Sequence, residues 1–138
     1  MAKTLPWALG LSLLLAAGGL TAHEIELKDL TIVHPYTYEL SKTETPDTPI
    51  YMTIHNHGEA PDRLLAASSP LAEKAEIKAA PTQGIEFRPG ATVKFEAGGA
   101  HILLVGMKES LSGYETFPLW LVFEKAGKVE VEVMVEER

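Results

Sequence analysis

The chain has 138 residues, Lys+Arg 12 against Asp+Glu 19, a formal net charge of −7 and no cysteine. That length supports one domain with its own core, and the acidic balance argues against a nucleic-acid binder while suiting a cation binder. Without cysteine, no disulfide holds the fold and no thiolate holds a metal.

The first segment reads as an export signal. Lys3 supplies a positive start, and Leu5 to Leu15 is apolar except at Pro6, Gly10 and Ser12. Gly18 and Gly19 loosen the chain, and Ala22 is a small residue at the cleavage edge. Such a run is too short to span a bilayer. A cut before His23 makes residues 1–22 the signal and 23–138 the mature domain. Ala16-Ala17-Gly18 offers a competing cut, and no Cys follows the apolar run to carry a lipid.

Period-two alternation dominates the mature domain, and each such run predicts a strand. Glu24 to His34 reads as one broken strand with a bulge at Lys28-Asp29. Pro35 to Pro49 is polar and reads as a long loop. Ile50 to His55 is a second strand, ended by Asn56-His57-Gly58. Asp62 to Ala67 is a third. Leu71 to Lys78 is short and lies between Pro70 and Pro81, so a strand containing Ala75-Glu76-Ile77 is preferred to a helix. Ile85-Glu86-Phe87, Thr92 to Phe95, His101 to Val105, Phe117 to Phe123 and Val129 to Val133 complete the set. Pro89-Gly90, Gly98-Gly99 and Ala126-Gly127 supply turns. Many short strands with frequent turns predict an all-β antiparallel sandwich.

All five histidines, 23, 34, 55, 57 and 101, fall after the signal. An N-terminal His23 would chelate a metal through its α-amine and imidazole together, and one further imidazole would complete a three-nitrogen T, the histidine brace. Nitrogen-rich planar ligation suits Cu(II), and the amine, with an ordinary pKa of about 8, loses its proton readily. His55 and His57 are two apart and share a face of extended chain. If residues 24–34 form a single strand antiparallel to 50–55, His23 falls with His55 and His57. His34, Lys78 and His101 then fall at the opposite end. His34 is expected to play a hydrogen-bonded structural role, and His101 either that of a second, weak ligand or none in binding metal. Met52, Met107 and Met134 read as core filling, as do Trp120 and Phe123. Glu24, Glu26, Glu130 and Glu132 read as solvated faces, and Asp62 as a partner of Arg63 or a turn residue in preference to an axial metal ligand.

Four stretches carry a family resemblance. They are Asp29 to Pro35, Ile50 to Ile54 with Asn56 and Gly58, Asp62-Arg63-Leu64, and Gly98-Gly99-Ala100-His101. In order and spacing they resemble the PCuAC family of periplasmic copper chaperones across nearly the whole mature domain. The resemblance implies a cupredoxin-like Greek-key β-sandwich, periplasmic location, and copper as the bound ion. It also implies a membrane copper enzyme as the acceptor. The family's usual Cu(I) site takes an upstream His and Met, then His-x-Met after a Gly-Gly turn. Here that turn leads to His101-Ile102-Leu103, and Lys78 stands where the family has His or Met. The soft thioethers that select Cu(I) are missing. A branch of the family from methane-oxidising bacteria lacks this site and binds Cu(II) through a histidine brace, and the chain is similar to that branch.

The expected function is therefore non-catalytic: copper storage or delivery, with His23, His55, His57 and His101 as candidate metal ligands and no stable membrane insertion after signal cleavage. A histidine-brace oxygenase and a metal-free interaction module are the alternatives. No nucleophile triad, phosphate loop, CxxC or HExxH pattern is present.

Overall fold

The computed structural model describes residues 24–41, 43, 46–79 and 84–137. The segment expected to be an export signal and His23 lie outside the described residues. Ten strands occur in chain order: β1 (Glu24–Glu26), β2 (Leu30–Tyr38), β3 (Thr48–Asn56), β4 (Asp62–Ser68), β5 (Ala72–Lys78), β6 (Ile85–Phe87), β7 (Thr92–Lys94), β8 (His101–Met107), β9 (Thr116–Phe123) and β10 (Gly127–Glu136). No helix occurs among the described residues. The all-β expectation holds, including a strand rather than a helix at Ala72–Lys78.

Strand order is β5-β8-β3-β2-β10-β9-β4-β6, with β1 pairing β2 and β7 pairing β3 off this path. The path nearly closes on itself. At its far end, the Phe87 carbonyl of β6 accepts 2.8 Å from Asn56 Nδ2 of β3. Inward positions alternate cleanly along β3, where Thr48, Ile50, Met52, Ile54 and Asn56 are all buried. Its apolar members, together with Leu30, Ile32, Phe87, Phe95, Leu119, Leu121, Phe123 and Val133, make one core, whose burial is the main driving force for the fold. Every strand pairing is antiparallel except β10 with β2, which is parallel over Met134–Tyr36 to Glu136–Tyr38.

Two local readings are overturned. Residues 24–34 are a hairpin, not one strand: the Leu27 amide donates to the Leu30 carbonyl (2.8 Å), and β1 returns antiparallel along β2 with Glu24 opposite Val33 and Glu26 opposite Thr31. The expected loop from Pro35 is instead the second half of β2. A bulge between Val33 and Tyr36 makes this possible. His34 sits at φ 51 there, in the left-handed region that non-glycine residues seldom adopt. The extra residue absorbs the strand at a proline, which has no N–H to pair. Beyond it Thr37 is buried, while His34, Tyr36 and Tyr38 lie on the outward face.

Candidate metal centre

Because β3 occupies one edge of β2 throughout, β1 and β10 must share the other edge end to end. Strand β1 covers Thr31 to Val33 and β10 covers Tyr36 to Tyr38. His34 lies at the gap between them. Its Nε2 sits 2.7 Å from Glu136 Oε2 of β10, and its ring stacks on Tyr36 with centroids 4.9 Å apart. Its Nδ1 is buried and has no hydrogen-bond partner, alone among the described buried side-chain polar atoms. A proton on Nε2, donated to the carboxylate, leaves Nδ1 as a bare lone pair. A buried acceptor left unpaired costs free energy, and the left-handed backbone adds strain. Such a combination points to a group that something else must satisfy.

The aromatic row continues from Tyr36 to Tyr51 (5.5 Å) and from Tyr51 to His101 (6.3 Å) across β2, β3 and β8. Partial burial pushes the Tyr36 hydroxyl above its ordinary pKa, and the neighbouring Tyr38 and the Glu136 carboxylate push the same way. Met134 pairs with Tyr36 and is only half-buried on this outward face, so it is not core filling. Met52 and Met107 are core, as expected. Phe123 is core too, whereas Trp120 is only partly buried and its indole N–H donates to Glu130 (3.3 Å) on the outer face.

His55 and His57 do come together, with ring centroids 6.2 Å apart. His55 Nδ1 lies 2.8 Å from Thr92 Oγ1, and His57 Nε2 lies 3.7 Å from Glu26 Oε1. The sequence presents Glu26 as a solvated position, and only the hairpin reversal brings it to this pair. His101 does not join them. It is held by its own Gly99 carbonyl (2.9 Å) and lies beside Tyr51, four residues from His55 on β3, which is about 13 Å of strand. Lys78 pairs with His101 at the outer edge. There it sits 2.9 Å from Glu76, and hydrogen bonds from Lys78 and then Lys74 hold the Glu76 carboxyl below its ordinary pKa. Asp62 has the turn role: it accepts backbone N–H bonds from Arg63 (2.7 Å), Lys125 (2.7 Å) and Ala126 (3.0 Å). Grouping His23 with His55 and His57 requires 24–34 to be one strand, and the reversal removes that basis. Position 24 instead stands opposite Val33, one residue from His34.

Residues 25–135 match the family model described as "Putative lipoprotein LpqE-like". The chain belongs to the LpqE-like family. Its fold also matches solved PCuAC domains. The apo PCuAC domain from PmoF1 is 26% identical, over 84% of this chain and 100% of that one, with a TM-score of 0.79. The copper-bound PCuAC domain from PmoF2 is 27% identical, over 84% and 99%, with a TM-score of 0.76. The solution structure of CuI-DR1885 from Deinococcus radiodurans is 22% identical, over 88% and 85%, with a TM-score of 0.60, and shares the fold. No curated protein sequence matches the chain. This LpqE-like chain is thus a cupredoxin-like β-sandwich of the PCuAC type, as its sequence resemblance implied. Among its described residues, no three His, Asp or Glu side chains are already grouped to hold a metal ion.

Proposed function

We propose that this is an exported, non-catalytic copper-binding protein that carries Cu(II) in the periplasm, gripping it with the α-amine and imidazole of His23 and the imidazole of His34. Copper is the cargo here, handed to or stored for a copper enzyme. The observation that carries the reading is the partnerless Nδ1 of His34, one residue beyond the pairing of Glu24 with Val33. Consecutive Cα atoms lie 3.8 Å apart across a trans peptide, so the pairing of Glu24 with Val33 stops one residue step along β2 from His34. Glu136 on Nε2 would fix the ring and raise its basicity, the usual outer partner of a metal-bound histidine. The structural likeness to a copper-bound PCuAC domain supports the choice of metal. All three donors would be nitrogen, which favours Cu(II) over Cu(I).

Paramagnetic resonance of the chain beginning at His23, loaded with one equivalent of Cu(II), tests this. The expected spectrum is nitrogen-rich and type 2, and it collapses both in His34→Ala and when Ala22 is retained ahead of His23. Loss of the signal in His55→Ala but not in His34→Ala would instead return the second imidazole to β3. An unchanged spectrum with the terminus blocked would remove the brace altogether.

A further inference from the structure

We propose that Glu26, His55 and His57 form a second, solvent-facing cation site, about 10 Å along the sheet from His34, which takes a borderline divalent ion such as Zn(II), Ni(II) or Cu(II). The strand register builds it. Glu26 stands opposite Thr31, Thr31 opposite His55, and His55 opposite Thr92. Directly paired residues share a face, so this four-strand row points its side chains outward together.

Each donor is already oriented by a neighbour. Thr92 holds His55 at Nδ1 (2.8 Å), which leaves Nε2 as the nitrogen free to take an ion. This is the arrangement in which an outer hydrogen bond fixes the ring of a ligating histidine. Thr31 Oγ1 donates to Glu26 Oε1 (3.2 Å), which fixes the carboxylate while that oxygen, near His57, keeps a further lone pair. The His57 amide donates to the Asp29 carbonyl (2.9 Å), which pins that residue beside the β1–β2 turn and its ring within 3.7 Å of Glu26.

The spacing is near what an ion requires. Bond lengths of about 2.0–2.2 Å put adjacent donor atoms about 3 Å apart and two ligating rings about 5 to 6 Å apart. The observed values are 3.7 Å and 6.2 Å. The site therefore closes on its ion rather than standing preformed. The exposed His57 side chain, at the Asn56-His57-Gly58 turn, supplies the movement. Two imidazoles and a carboxylate select borderline metals over Ca(II) or Mg(II).

Calorimetric titration of the His23→Ala chain with Zn(II) tests the site apart from the brace. One Zn(II) per chain is expected, with affinity at least about tenfold weaker in His55→Ala or His57→Ala, and about tenfold weaker in Thr92→Val, where only an outer hydrogen bond is lost. His34→Ala should leave the titration unchanged. Absence of Zn(II) uptake by the His23→Ala chain, or undiminished uptake by the His55→Ala/His57→Ala double variant, overturns the proposal. All these positions face outward, and thermal midpoints in the same samples report any loss of fold. Failure of the brace, by contrast, would appear only in the Cu(II) spectrum of the unmodified terminus.

Discussion

Asn56→Ala should destabilise the protein far more than the outward-facing change His55→Ala beside it. Asn56 is fully buried, and its side chain ties three segments together. Its Nδ2 donates to the carbonyls of Phe87 (2.8 Å) and Ala60 (3.0 Å), while its Oδ1 accepts from the Gly58 amide (2.9 Å). Each bond contributes about 1 kcal/mol net, and truncation strands the buried Phe87 carbonyl without this donor. The expected loss is about 3 kcal/mol. For a domain of this size, each kcal/mol moves the thermal midpoint by about 4 °C, so the midpoint should fall by about 12 °C. Thermal unfolding followed by circular dichroism measures this. Urea unfolding should show a lower midpoint with an unchanged slope, which marks lost stability rather than an altered unfolded state. The adjacent outward substitution His55→Ala serves as the control and should cost less than about 1 kcal/mol. A fall below about 4 °C in Asn56→Ala would refute the view that this side chain closes the sheet path.

Three further outcomes rest on the same geometry. Gly84→Ala should cost at least about 2 kcal/mol in the same unfolding assays, because Gly84 sits at φ 99 and a Cβ there meets the Leu64 carbonyl oxygen. Glu136→Gln should weaken Cu(II) binding about tenfold in a chelator competition by loosening the His34 ring, and should lower the Tyr36 pKa seen by ultraviolet titration, since the carboxylate helps raise it. Glu76 titrates below its ordinary value in the folded state because Lys78 and Lys74 hydrogen-bond its charged form. Its stabilising effect is therefore present above the unfolded pKa and is lost as pH falls through the lowered folded value. Lys78→Met should bring the Glu76 carboxyl back up in an NMR pH titration.

Where one face meets the core and the other meets solvent, the strands are legible in the sequence. The alternation in Thr48–Asn56 and the short break at Ala126-Gly127 give β3 and the β9–β10 hairpin directly. Two places resist, for one physical reason: the periodicity of side chains records which face a residue takes, not the direction in which its strand runs. Glu24 and Glu26 alternate with Ile25 equally well in a continuing strand and in a returning one, and the turn at Leu27–Leu30 contains neither Gly nor Pro to announce it. Past His34, the bulge shifts the alternation by one residue, so Tyr36 and Tyr38 read as loop polarity rather than as a strand's outer face. The pairing of His55 with His57 is visible from their spacing, as is the distance of His101 from both. The part proposed for His34 is not, because it rests on a φ angle and an unpaired nitrogen that no pattern of residue types encodes. Glu26 beside His57 is equally hidden, since their closeness depends on the unannounced reversal.

The end-to-end sharing of one β2 edge by β1 and β10 brings the first and last strands of the fold to the same spot, beside His34. Anything joined directly to β1 or to β10 would thus crowd the face that carries His34, and a partner approaching that face must pass both strands. Labels meant to leave that face open belong at the other end of β10, on the exposed turn at residues 124–126, about 30 Å of strand away from Glu136.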